Sequence, residues 1–499
     1  MSSEHRLHPA SILFTIGANA RQFVVPGLLV LVTAAQGDRA LNLLLMALFV
    51  PYSIYAIVKY ATFRYEYAPD ELVIRSGVIF RNERHIPYAR IQNIDAVQNV
   101  LHRLIDVVTV RVHTGAGAEP EATLSVLPRA AYEEMRLRVG QRNEATADAA
   151  LPPAATILHL STPEVMLCGF IENYGGIIIG AALGALWEFG LMDRVSDRIV
   201  GPDGQNTGPI RDLFRAAFGG GGMTPGRALA VVAAIVSFLL VLRLLSMGVA
   251  ILKLHGYALT RVGDDLRAEY GLLTRVAATI PLRRVQTITV HQGPLQRLFG
   301  RAAIGVATAG AIAGAREEGE RQTRVPIAPI VRRDRADAIV SLIMPEIDVA
   351  SLRWQPVHPR AGFRIARITF VVFTLLSSPA ISAAGWWYLA WLAVLAASCA
   401  VFGHRHAASL GWAESAEAVA HRSGWLWRQT TIARVARVQV VALHESPFDR
   451  RNGMAGVRVD TAGGGPLAEH VDIRYLPRLV ADGLYDRLSR QTARTAFKW

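Results

Sequence analysis

A sequence block that recurs three times places the strongest constraint on how this 499-residue chain folds. The copies align without gaps on Gln92, Gln286 and Gln439, and each reads Arg-(Ile/Val)-Gln at that point. Each copy also carries a glycine 15 residues upstream, and a second block follows downstream: QNVLHRLID (98–106), QGPLQRLFG (292–300) and ESPFDRRNG (445–453). Blocks that keep one order three times predict three copies of one structural unit.

Each copy has the pattern of several short strands followed by one helix. Apolar and polar residues alternate on both sides of Gly77, Gly271 and Gly424, which predicts hairpin turns where glycine takes a positive φ. An amphipathic stretch then begins at Pro128, Pro329 or Pro477, and proline suits the first position of a helix. The pattern predicts a small bent barrel closed by a C-terminal helix.

Six apolar segments between the repeats are candidate membrane spans, and they come in three pairs. A composition of 52% apolar and 19% charged residues fits a mixture of membrane helices and soluble domains. The predicted pairs are 22–35 with 41–58, 165–187 with 228–252, and 368–384 with 386–402.

The three hairpins define six segments of the chain. Each hairpin returns the chain to the side it left, so the N-terminus and the three hydrophilic stretches share one side of the membrane. Arginines and lysines flank the spans on that side, and the net charge is +13, so the positive-inside rule predicts that this side is cytosolic. The segments are 1–58 (leader and hairpin 1), 59–156 (domain 1), 157–252 (hairpin 2 with a long extracytoplasmic loop), 253–350 (domain 2), 351–402 (hairpin 3) and 403–499 (domain 3).

Two sets of repeated arginines are the candidate binding residues. Arg90, Arg284 and Arg437 either present a basic surface to lipid head groups or an acidic partner, or fix a strand end or turn through hydrogen bonds, and the second interpretation is favoured. Arg103, Arg297 and Arg450 are predicted to lie in a loop at the end of a sheet. A ligand role is more plausible for these three than for the first set, because loops carry binding residues more often than strands do. The neighbouring apolar residues are predicted to pack in the core, with a membrane-interface or partner-binding role as the alternative: Leu101, Leu104, Leu295, Leu298 and Phe299.

Glu172 and Arg243 fall within predicted spans, where ionisable groups are costly and usually paired. The prediction is a pair across hairpin 2, with a position of Glu172 near the membrane interface as the alternative. The two cysteines, Cys168 and Cys399, offer neither a disulfide framework nor a CxxC motif. We expect no metal, no cofactor, no nucleic-acid partner and no enzymatic activity, since the sequence lacks the corresponding motifs.

The repeated blocks and the membrane-flanked layout resemble the bacterial PH-domain membrane proteins of the YdbS and YdbT type, and three repeats with three hairpins are similar to the larger, YdbT-like form. The resemblance implies an α+β membrane protein in which each of three transmembrane hairpins precedes a pleckstrin-homology-like (PH-like) bent barrel with a C-terminal helix. The third copy departs from the pattern, with Arg434 where Pro87 and Pro281 stand and with Arg451-Asn452 in place of an apolar pair.

The resemblance also implies a bacterial inner-membrane location, contact with membrane lipid, association with a smaller single-module relative, and oligomerisation. Phosphoinositide binding is not carried over, because the basic loop that provides it elsewhere has no counterpart here. The favoured function is a non-enzymatic platform that presents three cytosolic modules to protein or lipid partners. The alternative is a six-helix transporter or channel component that the modules regulate.

Overall fold

A computed structural model describes residues 4–6, 58, 62–77, 81–114, 122–144, 155–174, 176, 180, 184, 225–308, 325–377, 387–461 and 471–494. The chain divides into two compact units, one formed by 159–258 with 269–274 and the other by 1–158, 259–268 and 275–499. The first predicted hairpin (22–35 and 41–58) lies almost entirely outside the described residues, as does most of the loop at 188–227.

The elements of the three modules follow one order. Module 1 comprises β1 (Glu4–Arg6), β2 (Arg64–Tyr67), β3 (Glu71–Ser76), β4 (Asn82–Pro87), a 3-10 turn (Tyr88–Arg90), β5 (Ile91–Gln98), α1 (Val100–Leu104), β6 (Val107–Thr114), β7 (Ala122–Pro128) and α2 (Arg129–Glu144). Module 2 comprises β8 (Ala155–His159), α3 (Thr162–Ile171), α4 (Pro225–Leu254), β9 (Ala258–Val262), β10 (Asp265–Tyr270), β11 (Arg275–Pro281), a 3-10 turn (Leu282–Arg284), β12 (Val285–Gln292), α5 (Pro294–Leu298), β13 (Arg301–Thr308), β14 (Val325–Arg332) and α6 (Arg333–Ile343).

Module 3 repeats the plan after a 3-10 turn at Val349–Ser351. It comprises β15 (Gln355–Pro356), α7 (Ala361–Ser377), α8 (Trp387–Ser409), β16 (Gly411–Glu414), β17 (Ala418–Ser423), β18 (Arg428–Arg434), a 3-10 turn (Val435–Arg437), β19 (Val438–His444), α9 (Pro447–Arg451), β20 (Met454–Thr461), β21 (Val471–Pro477) and α10 (Arg478–Arg494). The three PH-like units of antiparallel strands that the sequence predicts are therefore present.

Each module buries its core between two half-sheets and the C-terminal helix. In module 1, Leu72 and Ile86 of the first half-sheet pack with Val110 and Leu124 of the second, and Met135 of α2 covers them. In module 3, the matching cluster includes Val419, Val457, Ile473 and Leu484. Alternation along each strand sends apolar residues to the inner face, which explains why both halves contribute to one core.

The two half-sheets of a module belong to different hydrogen-bonded sheets. The strand orders are β1-β2-β3-β4, β7-β6-β5-β11-β10-β9-β8, β14-β13-β12-β18-β17-β16-β15 and β19-β20-β21. The second half-sheet of module 1 thus continues into the first half-sheet of module 2 through β5 and β11, and module 2 continues into module 3 through β12 and β18. Backbone hydrogen bonds join the three modules in sequence.

The two junctions have the same register. Arg275 lies opposite Gln98 at the first junction, and Arg428 lies opposite Gln292 at the second. These residues occupy matching positions of the repeat, since Arg275 and Arg428 each stand four residues after the repeat glycine. The junction is therefore a repeated feature of the fold.

The repeat glycines confirm the predicted turns. Gly77, Gly271 and Gly424 have φ values of 100°, 114° and 85°, a region that other residues rarely adopt. At Gly424, a Cβ would stand only 1.8 Å from the main-chain oxygen of Trp427, so the turn itself excludes a side chain.

The prolines near the C-terminal helices do not occupy the predicted first helical position. Pro128 and Pro477 are the last residues of β7 and β21, and α2 and α10 begin one residue later. Pro329 lies inside β14, and α6 begins only at Arg333. The prediction was wrong because the fixed φ of proline near −65° suits the strand end before a helix as well as the first helical turn.

Among the described residues, two helices are long and apolar enough to cross a membrane, at Ala228–Leu254 and Trp387–Ser409. Helix α7 packs along α8, and the shorter α3 packs on α4. The large side chains of the two long helices point outward, as lipid-facing residues do: Leu229, Phe238, Leu240, Leu244, Leu389, Val394 and Val401. Six spans are not seen in the described part of the chain.

Candidate binding surfaces

The six repeated arginines lie at two kinds of site. Arg90, Arg284 and Arg437 are each the last residue of a 3-10 turn between the two half-sheets. Arg103, Arg297 and Arg450 lie on α1, α5 and α9, which are five-residue helices where the sequence predicted loops. The structure does not gather the six residues into one pocket.

Two of these arginines bridge module 2 and module 3. The Arg297 guanidinium donates to the carbonyl oxygen of Leu426, in the β17–β18 turn of module 3, at 3.0 Å. Arg437 Nη2 donates to the carbonyl oxygen of Arg283 at 2.9 Å. Both bonds run to main-chain oxygens of the neighbouring module, so these two side chains make structural contacts between the modules. A ligand role for any of the six remains a prediction.

Arg434 forms the most extensive side-chain contact of this junction. Its guanidinium donates to the carbonyl oxygens of Leu282 at 2.9 Å, Val285 at 3.0 Å and Ile343 at 3.2 Å. Its Nε lies 2.5 Å from Glu346 Oε1. The residue that departs from the proline of the other two repeats thus anchors module 3 to module 2.

Four of the five apolar residues beside the repeated arginines are exposed, so for these four the prediction that they pack in the core was wrong, whereas Leu295 is partly buried. Leu104 is 85% exposed and Leu298 is 76% exposed, and Leu101 and Phe299 are exposed as well. Spacing along a short segment shows that apolar residues share a face, but it does not show what that face meets. Two of the five-residue helices therefore present apolar side chains outward next to an arginine.

A cavity of about 330 Å³ lies in module 3, next to the ends of α7 and α8. Ile365, His406 and Leu410 line it from the helix side. The sheet side provides polar residues: His421, Ser423, Gln429, Thr431, Asp472, Arg474 and Tyr475. Sequence reasoning missed this site, because its residues come from five separate segments and form no local motif.

Asp472 is the centre of charge in this cavity. Arg474 Nε donates to Asp472 Oδ2 at 2.7 Å, Arg458 Nη2 lies 3.5 Å from the same oxygen, and His444 Nε2 lies 3.4 Å from Oδ1. Of the residues that line the cavity, Arg474 and Asp472 carry opposite charges, so the arrangement suits a small polar group.

Burial lowers the pKa of His421 in the cavity wall to about 4, partly opposed by the nearby Asp472 carboxylate. Because an unfolded chain protonates histidine near pH 6.5, the folded state should lose stability as pH falls from about 6.5 to about 4. We expect His421→Gln to flatten this part of the pH profile of the thermal midpoint, measured on protein in detergent. A His421→Gln profile that still falls as steeply as the wild type over this range would assign the pH dependence to other groups.

Arg243 of α4 reaches to the C-terminal end of α3. Its Nη1 donates to the main-chain oxygen of Phe170 at 2.9 Å and lies 3.3 Å from those of Ile171 and Glu172. Cationic side chains stabilise a helix C-terminus, where carbonyl groups lack partners. The hydrogen bonds thus run to main-chain oxygens, and a pairing of Arg243 with the Glu172 carboxylate remains a prediction.

Comparison with known proteins agrees with the repeat architecture. Residues 20–143, 214–347 and 364–492 each match the bacterial PH domain family, bPH_2. The UPF0699 transmembrane protein YdbT of Bacillus subtilis (strain 168) is 21% identical over 479 residues, which cover 90% of this chain and 91% of YdbT. No solved structure matches the chain significantly. With three matched copies that span most of its length, the chain belongs to the bacterial PH domain family and is a YdbT-like membrane protein.

Proposed function

We propose that this protein is a non-enzymatic platform in the bacterial inner membrane, whose three PH-like modules bind protein or lipid partners on the cytosolic side. One observation carries the proposal: the exposed leucines that stand beside repeated arginines on α1 and α5. Exposed apolar groups next to cations suit a partner or surface that is apolar and anionic, such as a membrane interface or an amphipathic protein segment.

Module 3 supports a membrane-proximal position of these short helices. At the start of α7, Arg364 Nε lies 3.2 Å from Asp449 Oδ1 of α9, and the Arg364 side chain is nearly buried. Arg364 and Arg367 both stand over the Phe448 ring, with guanidinium carbons 5.1 and 5.3 Å from the ring centroid. The short helix of module 3 therefore contacts the end of a membrane-hairpin helix. The same helix in modules 1 and 2 carries the exposed leucines.

The proposal is tested by affinity capture from native membranes after crosslinking, followed by mass spectrometry of proteins and lipids. We expect the wild type to enrich specific partners over bulk lipid and the Leu104→Lys/Leu298→Lys double variant to lose most of them, since a charge replaces the apolar contact. Leu479→Lys is the matched control, because Leu479 is equally exposed but lies on α10 rather than on a short helix. Recovery of bulk lipid alone by the wild type would remove the basis of the proposal.

A flux assay on the purified protein in liposomes distinguishes the platform from a transporter or channel component. The platform predicts no solute flux above that of empty liposomes. Specific flux that depends on the protein would overturn it.

A further inference from the structure

Each end of the chain of modules has a sheet edge with no partner strand among the described residues. At one end β4 pairs only with β3, and at the other end β19 pairs only with β20. These are the strands that repeat the junction pairs: β4 corresponds to β11 and β18, and β19 corresponds to β5 and β12. Thus β4 and β19 correspond to the two partner strands of a junction that forms twice within the described chain, but each of them lacks its partner there.

Exposure confirms that these edges differ from their internal counterparts. Val440 of β19 is 54% exposed. Thr287 holds the matching position on β12, which pairs with β18, and it is 4% exposed. On β4, the four residues 82–85 are all exposed, whereas most of the matching residues of β11 and β18 are partly or fully buried. An exposed apolar residue on an open edge strand favours pairing with a further strand.

The internal register predicts how β4 and β19 would pair. Transferred to the open edges, it places Arg81 opposite Glu445, Arg84 opposite Ala442 and Ile86 opposite Val440. The internal junctions have an arginine opposite a glutamine at this position, Arg275–Gln98 and Arg428–Gln292. The open edges have opposite charges at the same position. Opposite charges across two strands stabilise pairing.

Arg450 is a second indication that the edge at β19 lacks the neighbouring module that the internal junctions have. It corresponds to Arg297, which donates to the carbonyl oxygen of Leu426 in the turn of the next module. Within the described chain, the Arg450 guanidinium has no hydrogen-bond acceptor. It lines an open cavity of about 230 Å³ together with Glu445, Met454 and Arg478.

We propose that β19 of one copy pairs with β4 of a second copy, in the register of the internal junctions, so that copies of this chain assemble head to tail. The inference deepens the proposed platform function by naming a second copy as the partner of these edges. Such an interface uses different surfaces of the two copies and either closes into a ring or runs on as a row in the membrane.

Cysteine crosslinking between two differently tagged chains tests the register. One chain carries Arg84→Cys and the other Ala442→Cys, both in a background with Cys168 and Cys399 replaced by alanine. Opposed residues of paired strands lie within disulfide reach, so we expect oxidation in native membranes to give a product that contains both tags. Arg84→Cys with Leu443→Cys is the matched control, because Leu443 points to the other face of β19, and it should yield much less.

Three results would overturn the proposal. Crosslinking of Arg84→Cys chains to each other would show symmetric β4 pairing, and equal yields with Ala442→Cys and Leu443→Cys would show unspecific collision. The absence of any product would show that the charged residues of β4 only protect an open edge.

The Val440→Lys variant tests the assembly without crosslinking. We expect native mass spectrometry from detergent or nanodiscs to show multimers of the wild type and a shift of Val440→Lys to single copies. Multimers of Val440→Lys equal to those of the wild type would contradict the inference. Single copies of the wild type that still capture other proteins would refute the head-to-tail assembly while leaving the platform function intact.

Discussion

Replacing Arg434 with alanine is expected to lower the free energy of unfolding of module 3 by about 3 kcal/mol. The substitution removes the donors of three main-chain carbonyl oxygens and the cation beside Glu346, in a side chain that is only 12% exposed. Thermal unfolding or urea-dependent proteolysis of the protein in detergent measures the loss.

Arg437→Ala is the matched control for Arg434. It lies three residues away, is exposed, and makes one hydrogen bond across the same junction, to the carbonyl oxygen of Arg283. We expect a loss below about 1 kcal/mol. Equal effects of the two substitutions would contradict the role assigned to Arg434.

Replacing Gly403 with leucine is expected to disrupt the packing of α7 against α8, at a cost of about 3 kcal/mol. A Cβ at Gly403 would stand 2.4 Å from the main-chain oxygen of Gly362 and 2.8 Å from Ala366 Cβ, so α7 and α8 would have to separate. Small residues permit this kind of close helix contact in membranes. Detergent-solubilised protein should show a lowered thermal midpoint and early cleavage near α7 and α8.

Gly248→Leu provides the control for Gly403. Gly248 also lies in a long apolar helix, but no atom of the described residues stands within 4 Å of its Cβ position. We therefore expect Gly248→Leu to behave nearly as the wild type. A Gly403→Leu protein as stable as Gly248→Leu would show that the two helices do not cross at Gly403.

The repeat and its turns were predictable because they depend on local chemistry. Strand alternation, and the positive φ that only glycine takes easily, are properties of short segments, and Gly77, Gly271 and Gly424 confirm them. The position of Pro329 inside β14 shows the limit of this approach. A proline that fits two neighbouring conformations does not determine which of them it adopts.

The shared sheets were not predictable from the sequence, because a strand that pairs with its own module has the same alternation as one that pairs with the next. Thr287 and Val440 occupy matching positions of the repeat. Thr287 is buried on a strand that pairs with β18, whereas Val440 is exposed on an open edge strand. What differs among the described residues is that the first half-sheet of a further module pairs with β12, whereas none pairs with β19.

Arg434 shows how a departure from a repeat can be misread. In the sequence, the loss of the proline found at 87 and 281 indicates divergence of the third copy. In the structure, the arginine reaches four groups of module 2 and the segment after α6, and it adds contacts that a proline could not make. The leucines of α1 and α5 were also misread, since their apolar pattern indicated core packing. In the structure these side chains are exposed at the surface.

The shared sheet between module 2 and module 3 is tested most directly by a disulfide between Thr289→Cys and Thr431→Cys. The two threonines lie opposite each other on β12 and β18, with hydroxyl oxygens 3.4 Å apart. The background again has Cys168 and Cys399 replaced by alanine. Thr289→Cys with His421→Cys is the control, because β17 lies two strands from β12, about 10 Å away and beyond the reach of a disulfide.

Shared sheets predict that oxidation in native membranes closes the Thr289→Cys/Thr431→Cys crosslink within one chain, in high yield, and leaves the control pair reduced. Free thiols at both positions after oxidation, or equal crosslinking of the control pair, would contradict the joining of modules by strand pairing.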